Sequence, residues 1–215
     1  MRLLILGPPG AGKGTQAARL ATHLGVPHIA TGDLFREAAE QKDEFGQHLR
    51  EIMEKGELIS DELTNELVQK RLSRPDAENG FILDGYPRNV EQAVTLDGIL
   101  DELGTKLDLA IKFMVRGEDI VARLSGRRVC PVCKTVYNMA ANPPRVDELC
   151  DNDGTPLVRR GDDAQEDALM RRLDVYGAQT RPLYQLYGDR GLLAEMDALG
   201  SPDEVFDRLV ALIGR

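Results

Sequence analysis

The sequence predicts an α/β fold: a five-stranded parallel sheet flanked by helices. Three observations carry that prediction. Short apolar runs of strand length recur at Leu3–Leu6, Val26–Ala30, Gly80–Asp84, Asp108–Val115 and Leu192–Asp197 along the 215-residue chain. Stretches that read as helix separate the runs, so successive strands join through crossovers and lie parallel. The first run also leads straight into Gly7-Pro8-Pro9-Gly10-Ala11-Gly12-Lys13-Gly14-Thr15 and a helix.

That junction has the pattern G-x-x-x-x-G-K of a phosphate-binding loop. Glycines let backbone N–H groups converge on one point with no Cβ in the way. The helix behind them adds the partial positive charge of its N-terminus. Lys13 supplies a mobile full charge for outer phosphates, and Thr15 a hydroxyl near magnesium. Gly14 departs from the generic pattern, standing where Ser or Thr usually follows the lysine. The loop implies a nucleotide and leaves its fate open.

Hydrophobic residues make up 42% of the chain and charged ones 29%, ordinary for a globular protein. The net charge of −9 disfavours a general nucleic-acid or anionic-membrane surface. Positive charge must therefore be concentrated locally, and 20 of the 27 basic residues are Arg, the side chain suited to bidentate phosphate contacts. No apolar run approaches the roughly 18 residues of a membrane span. The first strand is cut by Gly7-Pro8-Pro9, too short for a signal-peptide core, so a cytoplasmic location is expected.

In chain order, 14–23 reads as a helix ended by Gly25. His28 opens the second strand and reads as structural; His23 and His48 have no partner cluster and are assigned nothing. Thr31 can cap the next helix, Asp33 sits in its first turn, and Arg36 follows a strand end, where doubly wound sheets bind ligands. Residues 31–60 read as short helices interrupted by Gly46 and Gly56, an inserted helical unit, and Ser60 caps a helix over 61–73. The third strand finishes in Asp84, a carboxylate able to hold magnesium through water, and Arg88 and Gln92 come shortly after. Ile120–Arg128 reads as a helix running into a basic junction, and Pro202–Ile213 as the closing helix.

Residues 129–158 are short of apolar residues and cannot build a core alone. They carry Cys130-Pro131-Val132-Cys133 and, after sixteen intervening residues, Cys150-Asp151-Asn152-Asp153. An odd count of three cysteines argues against a disulfide framework, while two knuckles of this spacing match a structural zinc ribbon with Asp in the fourth place. Three thiolates and one carboxylate close a tetrahedron and leave no open position for substrate. Zinc is favoured over iron.

GPPGAGKGT, ATGDLFR, and FILDGYPR with Gln92 resemble the three signature stretches of the adenylate kinases, and the likeness covers essentially the whole chain. Gly14 is shared by that family's loop pattern. The resemblance implies a P-loop NTPase-like kinase core (1–30, 60–126, 164–215), an AMP-binding insertion (31–60) and a mobile zinc-containing lid (127–163). It implies reversible phosphoryl transfer from ATP to AMP giving two ADP, with Mg²⁺ accompanying ATP and Zn²⁺ structural. It puts ATP on Gly10, Ala11, Gly12, Lys13, Gly14, Thr15, Arg123, Arg127, Val136, Tyr137 and Gly200. AMP falls to Thr31, Arg36, Glu57, Leu58, Ile59, Gly85, Tyr86, Pro87, Arg88, Gln92, Arg160 and Arg171. Lys13, Arg88, Arg123, Arg127, Arg160 and Arg171 become the catalytic set. Counting forward from Asp163 selects Arg171, whereas counting back from Leu173 selects Arg172. Asp197-Ala198-Leu199-Gly200 departs from the family, which commonly has Gly after that Asp, so an adenine contact at Gly200 runs through backbone.

The acceptor oxygen in such a reaction belongs to a phosphate ionised at neutral pH, and no Ser-His or Cys-His constellation is evident to serve as base. A kinase for UMP, CMP or GMP would share the loop and the DGYPR-like stretch; the long ribbon-bearing lid, Thr31 and Gln92 favour AMP. A nucleotide-gated ribbon binding nucleic acid is opposed by the charge of −9 and the absence of Trp. Nothing in the sequence demands more than a monomer.

Overall fold

The computed structural model describes residues 1–55, 59–159, 170 and 173–214. Strands β1 (Arg2–Leu6), β2 (His28–Ala30), β3 (Phe81–Asp84), β4 (Leu109–Met114) and β7 (Leu193–Asp197) form a five-stranded parallel sheet in the order β2-β3-β1-β4-β7. A separate antiparallel pair, β5 (Arg127–Val129) and β6 (Val136–Asn138), belongs to the cysteine-bearing segment. The helices are α1 (Lys13–Leu24), α2 (Thr31–Glu40), α3 (Glu44–Lys55), α4 (Asp61–Leu72), α5 (Val90–Glu102), α6 (Gly117–Ser125), α7 (Pro182–Asp189) and α8 (Pro202–Ile213).

Two compact units divide the chain. The first comprises Met1–Leu6, Ala17–Lys112 and Gln179–Ala194, and the second Gly7–Gln16, Phe113–Ala178 and Glu195–Arg215. In the first, Leu4, Leu6, Ile29, Leu83 and Ala110 from the strands pack with Val68 and Leu72 of α4, Ala93, Leu96 and Leu100 of α5, and Leu183 and Tyr187 of α7. Each such Leu or Ile, fully buried, is worth roughly 1.5–3 kcal/mol. In the second, Ile120 and Leu124 of α6 pack with Val115 and Leu173, and the β5–β6 segment has its own small cluster of Cys130, Tyr137, Cys150 and Leu157.

Several local expectations are met. Gly25 takes φ +65° after α1, and Ser60 accepts from the Leu63 N–H at 3.3 Å as the cap of α4. Three are corrected. Thr31 is the first residue of α2 and caps nothing; its hydroxyl donates to the carbonyl of Gly85, 54 residues away. Helix α3 runs through Gly46 instead of stopping there, because a hydrogen is all that fits against the carbonyls of Gln41 and Ala38. Helix α6 ends at Ser125, and the arginines of the basic junction enter strand β5. Gly56 lies outside the described residues.

Candidate active site and metal centre

The loop after β1 is closed by its own lysine. Lys13 Nζ donates to the carbonyls of Gly7 and Pro8 at 2.8 and 2.9 Å. Ala11 N–H returns to the Pro8 carbonyl at 3.2 Å, which tightens the turn. Arg123, projecting from α6, donates through Nη1 to the Ala11 carbonyl (3.4 Å) and through Nη2 to the Ala198 carbonyl just past β7 (2.9 Å). One guanidinium thus ties the phosphate loop to the turn carrying Gly200. The Arg123 carbonyl in turn accepts from Asn138 Nδ2 at 2.8 Å, which anchors the end of β6. Arg127 begins β5 opposite Asn138.

Every described residue expected to meet ATP, from Gly10 to Thr15 and at 123, 127, 136, 137 and 200, falls in the second compact unit. Val136 is exposed, whereas the Tyr137 side chain is buried in the small cluster of that segment. Its hydroxyl accepts from the Asp151 N–H at 2.9 Å and lies 3.6 Å from Cys150 Sγ. Burial pushes the phenol up to about 12. Any nucleotide contact at Tyr137 is left to its backbone.

Of the residues expected to meet AMP, Thr31, Gly85, Tyr86, Pro87, Arg88 and Gln92 lie in the first unit at and after the end of β3, with Thr31 joined to Gly85. The Gly85 carbonyl accepts from Thr31 Oγ1 at 3.0 Å and from Arg88 Nε at 2.9 Å. Gln92 is buried and mostly committed: Oε1 accepts from the Arg88 N–H at 2.7 Å, and Nε2 donates to Asp61 Oδ1 at 2.6 Å. Asn89 caps α5 by accepting from Gln92 N–H and donates its own amide to the other Asp61 oxygen. Tyr86 is fully buried, its hydroxyl 2.6 Å from Asn65 Oδ1, and burial raises its pKa. Pro87 is buried beside it and Arg88 is exposed. Sequence reasoning missed Asp61 and Asn65, whose separation from the DGYPR stretch gave no local signal.

Gly85 has φ +80°, and a Cβ there would stand 2.9 Å from Thr31 Oγ1. Gly85→Ala is therefore expected to weaken AMP binding by about tenfold through strain and displacement of Thr31. Calorimetric titration with AMP, beside a melting curve, measures this; unchanged affinity would show that the Thr31–Gly85 contact is not part of an acceptor site.

Arg36 stands on α2 with Asp33 as its polar partner among the described residues. Ile59 packs its side chain against the small core of Ala38, Ala39 and Leu49. Asp84 ends β3 with its side chain 14% exposed and Oδ2 3.6 Å from His28 Nε2. The expectations for Glu57, Leu58, Arg160, Arg171 and Arg172 lie outside the described residues.

The second cluster has a different chemistry. One ligand atom each from Cys130, Cys133, Cys150 and Asp153 lie within 4.8 Å of one another. Cys133 and Cys150 sulfurs are 3.4 Å apart, and Cys130 Sγ is 3.3 and 3.5 Å from the two Asp153 oxygens. A tetrahedral zinc with the usual bond lengths sets S···S near ~3.8 Å and S···O near ~3.5 Å. The donor set and the spacing both fit.

The two knuckles repeat one geometry. Cys130 N–H reaches the Thr135 carbonyl and Lys134 N–H the Cys130 carbonyl; Cys150, Thr155 and Gly154 repeat both bonds. Lys134 accordingly adopts φ +61° where the second knuckle has Gly154 at +68°. Each sulfur also has a hydrogen-bonding group beside it: Cys133 N–H at Cys130, Thr135 Oγ1 and Asn152 Nδ2 at Cys133, Tyr137 OH at Cys150. Thr135 first, then Asn152, lowers the Cys133 thiol to about 7. Burial raises Cys130, and the backbone hydrogen bond from Thr155 holds the Asp153 carboxyl below its usual range.

Phosphate loops occur in ATPases, GTPases and kinases alike, so the loop alone leaves the class open. An arginine-bearing turn at the end of β3, linked to Thr31 at the end of β2, narrows it to the P-loop phosphotransferases that act on nucleoside monophosphates. The family model described as "Adenylate kinase" matches residues 5–192. Relatives named adenylate kinase include one from Anaeromyxobacter sp. (strain K), 47% identical over the full length of both chains. Another, from Caldanaerobacter subterraneus subsp. tengcongensis, is 46% identical over all of this chain and 97% of its own. A third, from Thermotoga neapolitana, is 47% identical over 99% of this chain and 96% of its own. The chain belongs to the adenylate kinase family. Among the described residues no helix is long and apolar enough to cross a membrane.

Proposed function

We propose that this protein transfers the γ-phosphoryl group of Mg-ATP to AMP, reversibly, giving two ADP, by aligning and neutralising two nucleotides without a general base. The observation that carries the reading is the Thr31–Gly85–Arg88–Gln92 cluster, because it supplies a polar acceptor site that an ATPase does not need. An AMP phosphate oxygen attacks the γ-phosphorus while the bond to the β–γ bridging oxygen breaks. The attacking AMP oxygen is already ionised, so what the protein must supply is orientation and positive charge.

Lys13 would exchange the Gly7 and Pro8 carbonyls it now holds for phosphate oxygens, which are charged and therefore stronger acceptors. Arg36 and Arg88 serve AMP, and Arg123 and Arg127 serve ATP; Arg160 and Arg171 are assigned the same work from sequence alone. Thr15 and Asp84 are the side chains proposed to meet the magnesium carried by ATP. Residues 31–60 and 127–163 are proposed to close over bound nucleotides, since water would otherwise accept the phosphoryl group.

Cys130, Cys133, Cys150 and Asp153 are proposed to hold one structural Zn²⁺. Asn152 spans the knuckles, donating to Thr135 Oγ1 at 2.9 Å and facing Cys133 Sγ at 3.6 Å. Outer-shell partners of this kind are worth about 10–100-fold in metal affinity. Asn152→Ala is expected to release zinc to a chromogenic chelator faster by that order, and an unchanged rate would remove Asn152 from the metal's support.

The acceptor is tested by presenting AMP, UMP, CMP and GMP in turn with Mg-ATP. AMP should be the preferred acceptor; a pyrimidine or guanine monophosphate used in its place would overturn the assignment.

A further inference from the structure

We infer that Arg208, on α8, is a positioning residue that sets adenine selectivity on the ATP side by fixing the turn that presents Gly200; this rests on the proposed contact between Gly200 and the ATP base. Its guanidinium is spent on that turn. Nη1 donates to the Asp197 carbonyl at 2.8 Å and lies 3.4 Å from Asp197 Oδ2. Nη2 donates to the Leu199 carbonyl, and Nε to the Glu204 carbonyl at 3.1 Å. A planar fork can hold two carbonyls two residues apart, which a lysine's point charge cannot reproduce.

The rest of the turn is equally occupied. Ala198 N–H donates to the Met114 carbonyl at 3.0 Å, and the Ala198 carbonyl accepts from Arg123. Leu199 N–H donates to Asp197 Oδ1 at 2.9 Å and Ser201 N–H to Glu204 Oε2 at 2.8 Å. The Ser201 carbonyl accepts from Val205 N–H at 3.1 Å, and the Pro202 carbonyl from Gln16 Nε2 at 2.8 Å. Ser201 and Glu204 form a reciprocal capping box that anchors the start of α8. From Ala198 to Ser201, the only peptide N–H and C=O without a partner among the described residues are those of Gly200.

Those two groups distinguish purines. A carbonyl accepts from the N6 amino group of adenine and meets the O6 acceptor of guanine; an N–H donates to adenine N1 and meets the N1–H of guanine. Gly200 is exposed, with φ +109°, and a Cβ there would fall 2.6 Å from Glu204 Oε2 and 3.0 Å from Arg208 Nη2. The peptide therefore rests directly on the side chains that fix it. Without Arg208, the Asp197 and Leu199 carbonyls lose their shared donor, and the Leu199–Gly200 peptide, which carries the Gly200 N–H, is no longer held in one orientation.

Arg208→Met and Arg208→Lys test this in the full-length protein, with kcat and KM measured for ATP and for GTP at saturating AMP, KM for AMP, and thermal midpoints. The Met variant should raise KM for ATP about tenfold and lower the ATP:GTP ratio of kcat/KM by about tenfold, with KM for AMP unchanged. The Lys variant should fall between it and the wild type, and it carries the same readout if the Met variant does not fold. A merely structural role would lower the thermal midpoint and scale kcat for both donors alike; an unaltered ATP:GTP ratio overturns the inference. N6,N6-dimethyl-ATP separates the two layers, because it lacks the N6–H donor. If the wild type uses it as well as ATP, the base contact itself is wrong. If the wild type rejects it while the Arg208 variants keep their ATP:GTP ratio, only the role of Arg208 is wrong.

Discussion

Lys13→Met is expected to lower kcat by roughly 10³-fold or more, the scale on which cationic stabilisation of a transferring phosphoryl group operates. The folded state loses the hydrogen bonds from Nζ to the Gly7 and Pro8 carbonyls. At about 1 kcal/mol each, and about 2–4 °C per kcal/mol for a chain of this size, those two bonds account for a fall of about 4–8 °C in the thermal midpoint. AMP affinity should stay within about twofold, because the proposed acceptor residues Thr31, Gly85, Arg88 and Gln92 belong to the other compact unit. Arg88→Met should show the opposite pattern, with AMP binding lost and ATP binding kept. Steady-state rates with calorimetric titration of each nucleotide separate the cases. A Lys13→Met enzyme within tenfold of wild-type kcat would mean that the loop is not the donor site.

Cys150→Ala, or stripping with a strong chelator, is expected to unfold the β5–β6 segment while sparing the sheet. Two of the four residues in that segment's buried cluster, Cys130 and Cys150, are themselves the proposed metal ligands. Without metal, Tyr137 and Leu157 alone cannot offset the entropy of ordering the segment. Bound zinc contributes apparent folding energies of about 10–16 kcal/mol in small peptides. Hydrogen exchange followed by mass spectrometry should show loss of protection across 127–158 in the apo protein, with β1, β3 and α5 unchanged. A fully protected apo segment would contradict a structural role for the metal, and one equivalent of iron instead of zinc in the purified protein would contradict its identity.

What could be read from sequence followed from signals that are local. Leu3–Leu6 before a glycine-rich turn, the Ser60 cap and the spacing of the four metal-site residues each announce themselves within a few positions. What escaped depends on partners far along the chain. Thr31 looks like a cap until its hydroxyl is found on Gly85. Gln92 looks like a free ligand group, yet its amide is drawn to Asp61, 31 residues upstream. Tyr137 alternates like any strand residue, and only the fold shows it buried against a cysteine sulfur. Arg208 reads as one more solvated helix arginine, because its work is done on carbonyls rather than on any residue type a pattern would register.

Product stoichiometry tests the central claim most directly. Incubation of the purified protein with ATP, AMP and Mg²⁺, resolved by ion-exchange chromatography, should yield two ADP for each ATP and AMP consumed, and ADP alone should run the reaction backwards. ADP and inorganic phosphate in equal amounts, with AMP untouched, would contradict it.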